Sequence, residues 1–202
     1  ELIPAGRLGD EPSNQLSKKI RELNLPIGRL KTGTPPRLIK TSINWDKVEM
    51  QFADTYPIPF SYLTKRIQVK QIQCGITRTN RETHKIIYDN HMTSPVFSGS
   101  IKGSGPRYCP SIEDKVTRFY EKDSHQIFLE PEGLDSPLVY PNGISTSLPK
   151  KTQEDFLKTI PGLETAIIDQ HGYAIEYDYM DPRELKDALE LKKSKDCFLL
   201  VK

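Results

Sequence analysis

Apolar residues recur at two periods along this chain, and each period predicts its own elements. Leu16, Ile20 and Leu23 share one helical face behind Ser13, a good cap, and Pro26 and Gly28 close that helix. Ile112, Val116 and Phe119 repeat the spacing behind Ser111, with Glu113 and Asp114 in the first turn, which predicts a helix over 112–122. Helices are also predicted over 81–90, 153–160 and 182–193. The last has the strongest start signal: Asp181 as cap, Pro182 at the first position and Glu184 closing a capping box. At period two, Ile72, Cys74 and Ile76 line one side of a strand over 71–79. Tyr173, Ile175, Tyr177 and Tyr179 alternate with Ala174, Glu176 and Asp178 in another. Shorter strands are predicted over 125–129, stopped by Pro131, and over 197–201. Residues 4–12 read as loop, and the chain turns irregular from Gly33. The 16 prolines imply many short elements rather than long helices. Strands and helices without regular βαβ alternation fit α/β or α+β.

A length of 202 residues holds one domain, or one plus part of another. With 28% charged and 36% hydrophobic residues the composition is that of an ordinary soluble globular protein. No apolar run approaches the roughly 18 residues a membrane helix needs. Glu1, Pro4 and Asp10 stand where a signal peptide has a basic region and an apolar core. The 3 cysteines, Cys74, Cys109 and Cys197, are far apart, which argues against a disulfide framework and for a reducing compartment. They form no CxxC pair and have no histidine at zinc-ligand spacing, so a structural metal is not expected. A net charge of +2 and a pI near 8.4 say little about partners. Three basic clusters (Lys18, Lys19, Arg21; Lys65, Arg66, Lys70; Lys192, Lys193, Lys195) read first as solvated faces.

The densest candidate chemistry lies between Gly103 and Lys115. There a glycine loop, Arg107 and Cys109 precede the start of a predicted helix. Free backbone N–H groups, the positive helix end and a neighbouring guanidinium stabilise both a thiolate and a bound phosphate. Arg107, Tyr108 and Ser111 are suited to position a ligand through guanidinium, ring and hydroxyl. The plain alternative is a glycine turn entering a surface helix beside an inert thiol. His125, Glu130 and Glu132 form a polar set suited to proton transfer, or to solvating a turn made by Pro131 and Gly133. Asn142, Ser145, Thr146 and Ser147 either line a ligand cavity or satisfy turn backbone. Cys74 and Cys197 read as packing residues.

The run GPRYCPSIEDK (105–115) closely resembles a segment of the MnmG/GidA family. So do RLKTGTPPR (29–37), TN…TH.II (79–87), SP..SG.I.G (94–103), HQIFLEPEGL (125–134), YPNGISTSLP (140–149) and GYAIEYD…DPREL (172–185), in the family's order. These flavin-dependent enzymes build the 5-carboxymethylaminomethyl group on the wobble uridine of certain tRNAs. The resemblance implies an α/β fold in which an FAD-binding doubly wound domain (1–35 and 151–202) is interrupted by an inserted NAD(H)-associated α/β domain (36–150). It implies Cys109 as the catalytic candidate and Ser13 as an FAD contact. It assigns the NAD(H) contacts to Gly105, Pro106, Arg107, Tyr108, Cys109, Pro110, Ser111, Ile112, Glu113, Asp114, Lys115, Val116, Thr117, Arg118 and Phe119.

In the family, NADH reduces FAD, and the reduced flavin handles a one-carbon unit from methylenetetrahydrofolate. That unit is joined with glycine or ammonium to carbon 5 of the uridine. The implied partners are tRNA, a GTPase of the same pathway and a second copy of the chain, with no membrane. The implied compartment is the bacterial cytoplasm, with the mitochondrion as alternative.

Three departures are visible. No GxGxxG occurs; Leu200-Val201-Lys202 stands where the family has Ala-Gly-Gln; and Thr93 stands where it has arginine. The expectation is the middle of such an enzyme, with FAD not retained by this chain alone. An inactive remnant and an isolated NAD(H)-binding module stay open as alternatives.

Overall fold

Long-range antiparallel pairing, rather than the local periods, organises this molecule. The computed structural model describes residues 3–95, 98–99, 105 and 110–199. The elements are α1 (Asn14–Glu22), β1 (Ile27–Gly33), β2 (Arg37–Ile39), β3 (Glu49–Gln51), β4 (Cys74–Arg78), α2 (Arg81–Asn90), α3 (Ile112–Arg118), β5 (Gln126–Pro131), β6 (Leu138–Asn142), α4 (Lys150–Leu157), β7 (Ile168–Gln170) and β8 (Ala174–Met180). Single 3₁₀ turns lie between some of them. A six-stranded sheet runs β3-β4-β5-β6-β2-β7, and β1 pairs with β8 in a separate two-stranded ladder. Every pairing between these strands is antiparallel, in a mixed α and β architecture. No described helix is long and apolar enough to cross a membrane.

The core lies on one face of the six-stranded sheet. Leu38, Ile127, Leu129 and Val139 from the strands meet Ile87 of α2, Ile112 and Val116 of α3, and Phe156 and Leu157 of α4. The α2 boundaries are those its sequence predicts. Asn80 accepts from the Thr83 N–H at 2.9 Å while Thr83 Oγ1 accepts from the Asn80 N–H at 3.2 Å, a reciprocal cap.

Several expectations are corrected. The strand predicted over 71–79 begins only at Cys74, and its core face is the opposite one: Gly75, Thr77 and Thr79 are buried, whereas Cys74 and Ile76 face the other way. The reason is that Val48 and Trp45 fill the space over Gly75, where a Cβ would come within 2.7 Å of Val48. Thr77 is accommodated there because its hydroxyl donates to the Pro161 carbonyl at 2.8 Å. The helix predicted over 182–193 is a single 3₁₀ turn, Pro182–Glu184. Asp181 does cap it, accepting from the Arg183 N–H at 3.0 Å. A cap alone does not propagate a helix without a packed face. The chain instead turns back so that Leu185 bridges Leu191 and Leu191 is buried. The predicted 112–122 helix stops at Arg118, and the predicted 153–160 helix forms three residues earlier, as α4. The terminal strand is reduced to one bridge, Phe198 to Glu190, with Leu200 onward outside the described residues.

The ladder meets the body at one junction. Thr34 forms a bridge with Thr146 and donates its N–H to the Tyr173 carbonyl at 2.9 Å. The buried Gln153 amide bonds Gly172 in both directions, at 2.9 and 2.8 Å. A Cβ on Gly172 would stand 2.5 Å from the Thr34 carbonyl oxygen, so a glycine is needed for this approach.

Candidate functional site

The start of α3 is built as its sequence suggests. Ser111 Oγ accepts from the Asp114 N–H at 3.1 Å, and Asp114 Oδ2 accepts from the Ser111 N–H at 3.3 Å. The Ile112 N–H donates to the Ser145 carbonyl at 2.8 Å. Three backbone donors at this helix start, the N–H groups of Ser111, Ile112 and Asp114, are therefore already used, and the Asp114 carboxylate stands among them. Lys115 reaches the Gly143 carbonyl at 2.8 Å, and the Thr117 hydroxyl donates to the Glu113 carbonyl at 2.8 Å. Arg118 pairs with Asp114 at 3.5 Å. Ile112 and Val116 fill the core, and Phe119 is largely exposed.

Glu113 is the unexpected member. An acid in the first turn normally points to water, yet this side chain is 0% exposed. Its Oε1 accepts the Ser147 N–H at 3.1 Å, and its Oε2 has no hydrogen-bond partner among the described residues. Burial pushes this carboxyl above its ordinary value. The Ser147 hydroxyl continues the network to Ser94 Oγ at 2.6 Å. The structure thus gathers Ser111, Glu113, Asp114, Ser145 and Ser147, all five already named from sequence for other reasons. Gly105 is exposed and Pro110 is partly buried. Pro106, Arg107, Tyr108 and Cys109 lie outside the described residues. Ser13 stands exposed at the α1 N-cap position, but its side chain makes no capping bond.

The set His125, Glu130 and Glu132 is split between two environments. The His125 ring packs on His84, centroids 5.1 Å apart, and Thr79 Oγ1 links the two residues at 2.7 Å to His84 Nε2 and 2.7 Å to the His125 N–H. Burial lowers the proton affinity of both rings. Glu130 and Glu132 instead belong to the sheet face turned away from the core. There the register carries Gln51 opposite Cys74, Glu130 opposite Tyr140, and Arg37 opposite Gln170. Asn142 Nδ2 donates to Glu130 Oε1 at 3.0 Å. Arg37 lies over the Tyr140 ring at 4.5 Å, pairs with Glu132, and donates to Thr34 Oγ1 at 2.8 Å and the Pro35 carbonyl at 2.7 Å. Cys74, on the same face, has its thiol pushed up by burial, with Glu130 adding to the shift. Among the described residues no group of three or more His, Cys, Asp or Glu could hold a metal ion. An open groove of about 610 Å³ near the end of α1 has its charges paired, Arg21 with Asp178 and Lys193 with Glu184.

The family model described as glucose inhibited division protein A matches residues 1–200. The chain belongs to the GidA family. It is 54% identical over 195 residues to the tRNA uridine 5-carboxymethylaminomethyl modification enzyme MnmG of Granulibacter bethesdensis, covering 96% of this chain and 31% of that protein. It is 55% identical over 199 residues to the MnmG of Thermodesulfovibrio yellowstonii, covering 98% and 32% respectively. Among solved structures, GidA of Aquifex aeolicus in its form I crystal superposes with a TM-score of 0.87 at 46% identity, covering 98% of this chain and 34% of that one. This GidA-family chain therefore spans about a third of the length of the curated relatives it matches. Sequence reasoning missed two features, the burial of Glu113 and the role of Arg37 as organiser of the outer sheet face. The signal for Arg37 was available, since it closes one of the segments most like the family.

Proposed function

We propose that this chain is the central part of a flavin-dependent enzyme that adds the carboxymethylaminomethyl group to carbon 5 of a tRNA wobble uridine. The observation that carries this reading is the match at 54% and 55% identity, over nearly the whole chain, to proteins bearing that name. In this reading residues 1–35 and 151–202 belong to an FAD-binding domain and 36–150 to an inserted NAD(H)-associated one. Ser13 contacts FAD, and the stretch 105–119 contacts NAD(H). Because the Ile112 and Asp114 N–H groups are already bonded, Arg107 and the loop ahead of α3 take the cofactor's phosphates. Flavin supplies the electron transfer, and the chain's own residues bind and orient. Cys109 is the catalytic candidate beside that cofactor. The enzyme works on tRNA as a homodimer with a GTPase partner.

A fluorescence titration of the purified chain with NADH tests this. Binding that weakens about tenfold or more in Arg107→Ala supports the reading, on the scale of a lost charge-assisted contact. A folded chain that ignores NADH, or an Arg107→Ala variant that binds it unchanged, speaks against it. In the same samples, Cys109 should react with a thiol probe at neutral pH faster than Cys74, whose thiol is pushed up by burial. Slower labelling of Cys109 removes it as the catalytic candidate.

A further inference from the structure

Two half-buried histidines meet where the turn after α3 comes back against α2, and the proposed function uses neither. The His84 and His125 rings lie with centroids 5.1 Å apart. Thr79, directly after β4 and 2% exposed, ties them together. Its N–H donates to the His125 carbonyl at 3.0 Å, its Oγ1 accepts the His125 N–H at 2.7 Å, and the same oxygen lies 2.7 Å from His84 Nε2. All three bonds are satisfied when His84 is neutral and the Thr79 hydroxyl donates to its bare Nε2. A protonated His84 must donate instead. The Thr79 hydrogen then has to turn to the His125 carbonyl, 3.5 Å away and already bonded to the Thr79 N–H. His125 Nε2 is shielded from water and has no hydrogen-bond partner among the described residues. A neutral ring can leave a lone pair there, whereas a protonated ring buries an N–H without an acceptor.

The charges around the pair also resist protonation. Lys115 of α3, Lys122 of the turn and His84 itself all act against a positive charge on His125, and Glu121 favours one. Asp123 favours a charge on His84, but Arg81 of α2 holds that carboxylate at 2.8 and 3.1 Å. Arg78, at the end of β4, bonds Gln126 at 3.3 Å. The Arg81–Asp123 pair ties the same turn to α2, but it is largely exposed and contributes little by itself. We propose that His84, His125 and Thr79 form an acid-operated latch, which holds the 119–125 turn against α2 while both rings are neutral and releases it when they are protonated. Burial holds both rings below the ordinary histidine value of 6.5, and the neighbouring cations add to this at His125. The closed state therefore has its full advantage above 6.5 and loses it as the pH falls from there through the lower folded values. The turn directly follows the 105–119 stretch proposed above to contact NAD(H), so its release would free the far end of α3. That consequence rests on the proposed reading; the latch itself does not.

Hydrogen exchange of the whole chain, read by mass spectrometry at about pH 7.5 and about pH 5.5 and corrected for the pH dependence of intrinsic exchange, tests the latch. Peptides spanning 119–127 should lose protection about tenfold at the lower pH, while β6 keeps its own. His84→Gln keeps an amide to bond Thr79, His125→Phe keeps a ring in the stack, and neither new side chain titrates. The double variant should therefore hold its 119–127 protection under both conditions. Equal protection of the parent turn at the two pH values, or the same acid opening in the double variant, overturns the latch. Proton NMR of the parent chain gives a check that does not depend on the variants folding together. The His84 and His125 ring signals, assigned from the single variants, should titrate below 6.5, where the turn opens. Rings that titrate at 6.5 or above overturn the proposal as well. NADH takes no part in either measurement, so failure of the latch leaves the proposed function standing.

Discussion

The six-stranded sheet and the β1–β8 ladder are both antiparallel, but only the sheet encloses a core. Leu38, Ile127, Leu129 and Val139 are fully buried against three helices. On the ladder side α1 buries no residue, and Leu16 and Leu23 remain largely exposed. Its attachment is polar: Ser17, Arg21 and Arg29 converge on Asp178. Partial burial acts against ionisation of Asp178, yet these three donors outweigh it and hold the carboxyl below its ordinary value. Exposed ion pairs contribute only about 0–1 kcal/mol each, and a two-stranded ladder is marginal without a packed face. The body is ordered by its own burial. The ladder is ordered by docking at Thr34, Thr146, Gln153 and Gly172.

The largest effect expected from this contrast is in paired truncations. Leu129→Ala should lower stability by about 2–5 kcal/mol in chemical denaturation. Leu16→Ala should stay within about 0.5 kcal/mol. Comparable losses from the two would erase the distinction.

Next in size is the junction. Gly172→Ala drives a Cβ against the Thr34 carbonyl oxygen, 2.5 Å away in the present geometry, and should cost about 1–3 kcal/mol. Thermal unfolding measures it. An unchanged midpoint means that the junction yields freely and does not order the ladder.

The contrast with what sequence alone reveals follows the same division. α2 was legible because cap, amphipathic face and packing agree over Arg81–Asn90. β8 was legible because its alternation is clear over seven residues. β1 was not, since Ile27–Gly33 has neither period and is defined only by pairing with a strand almost 150 residues later. The face of β4 was inverted because a glycine occupies the core position and the larger side chains point outward. At the site, the Ser111 cap was readable from local spacing, whereas the Arg37–Tyr140–Glu130 face depends on register between β2, β5 and β6. The burial of Glu113 depends on where residues 145–147 pass over α3.

A smaller effect sharpens the account of the body. The raised Glu113 carboxyl binds its proton more tightly folded than unfolded. Its favourable contribution is therefore complete below the ordinary value of 4.5 and is lost as pH rises through the higher folded value. Glu113→Gln keeps an acceptor for the Ser147 N–H and should remove that loss on raising the pH. A variant with the same pH dependence as the parent chain would show that Glu113 is solvated in solution.

Hydrogen exchange read by mass spectrometry tests the central claim most directly, because it reports each region separately in one sample. The account predicts the slowest exchange in β4, β5 and β6, intermediate exchange in β1 and β8, and the fastest in α1. Protection of α1 equal to that of β5, or loss of β4–β6 protection before that of the ladder, would contradict it.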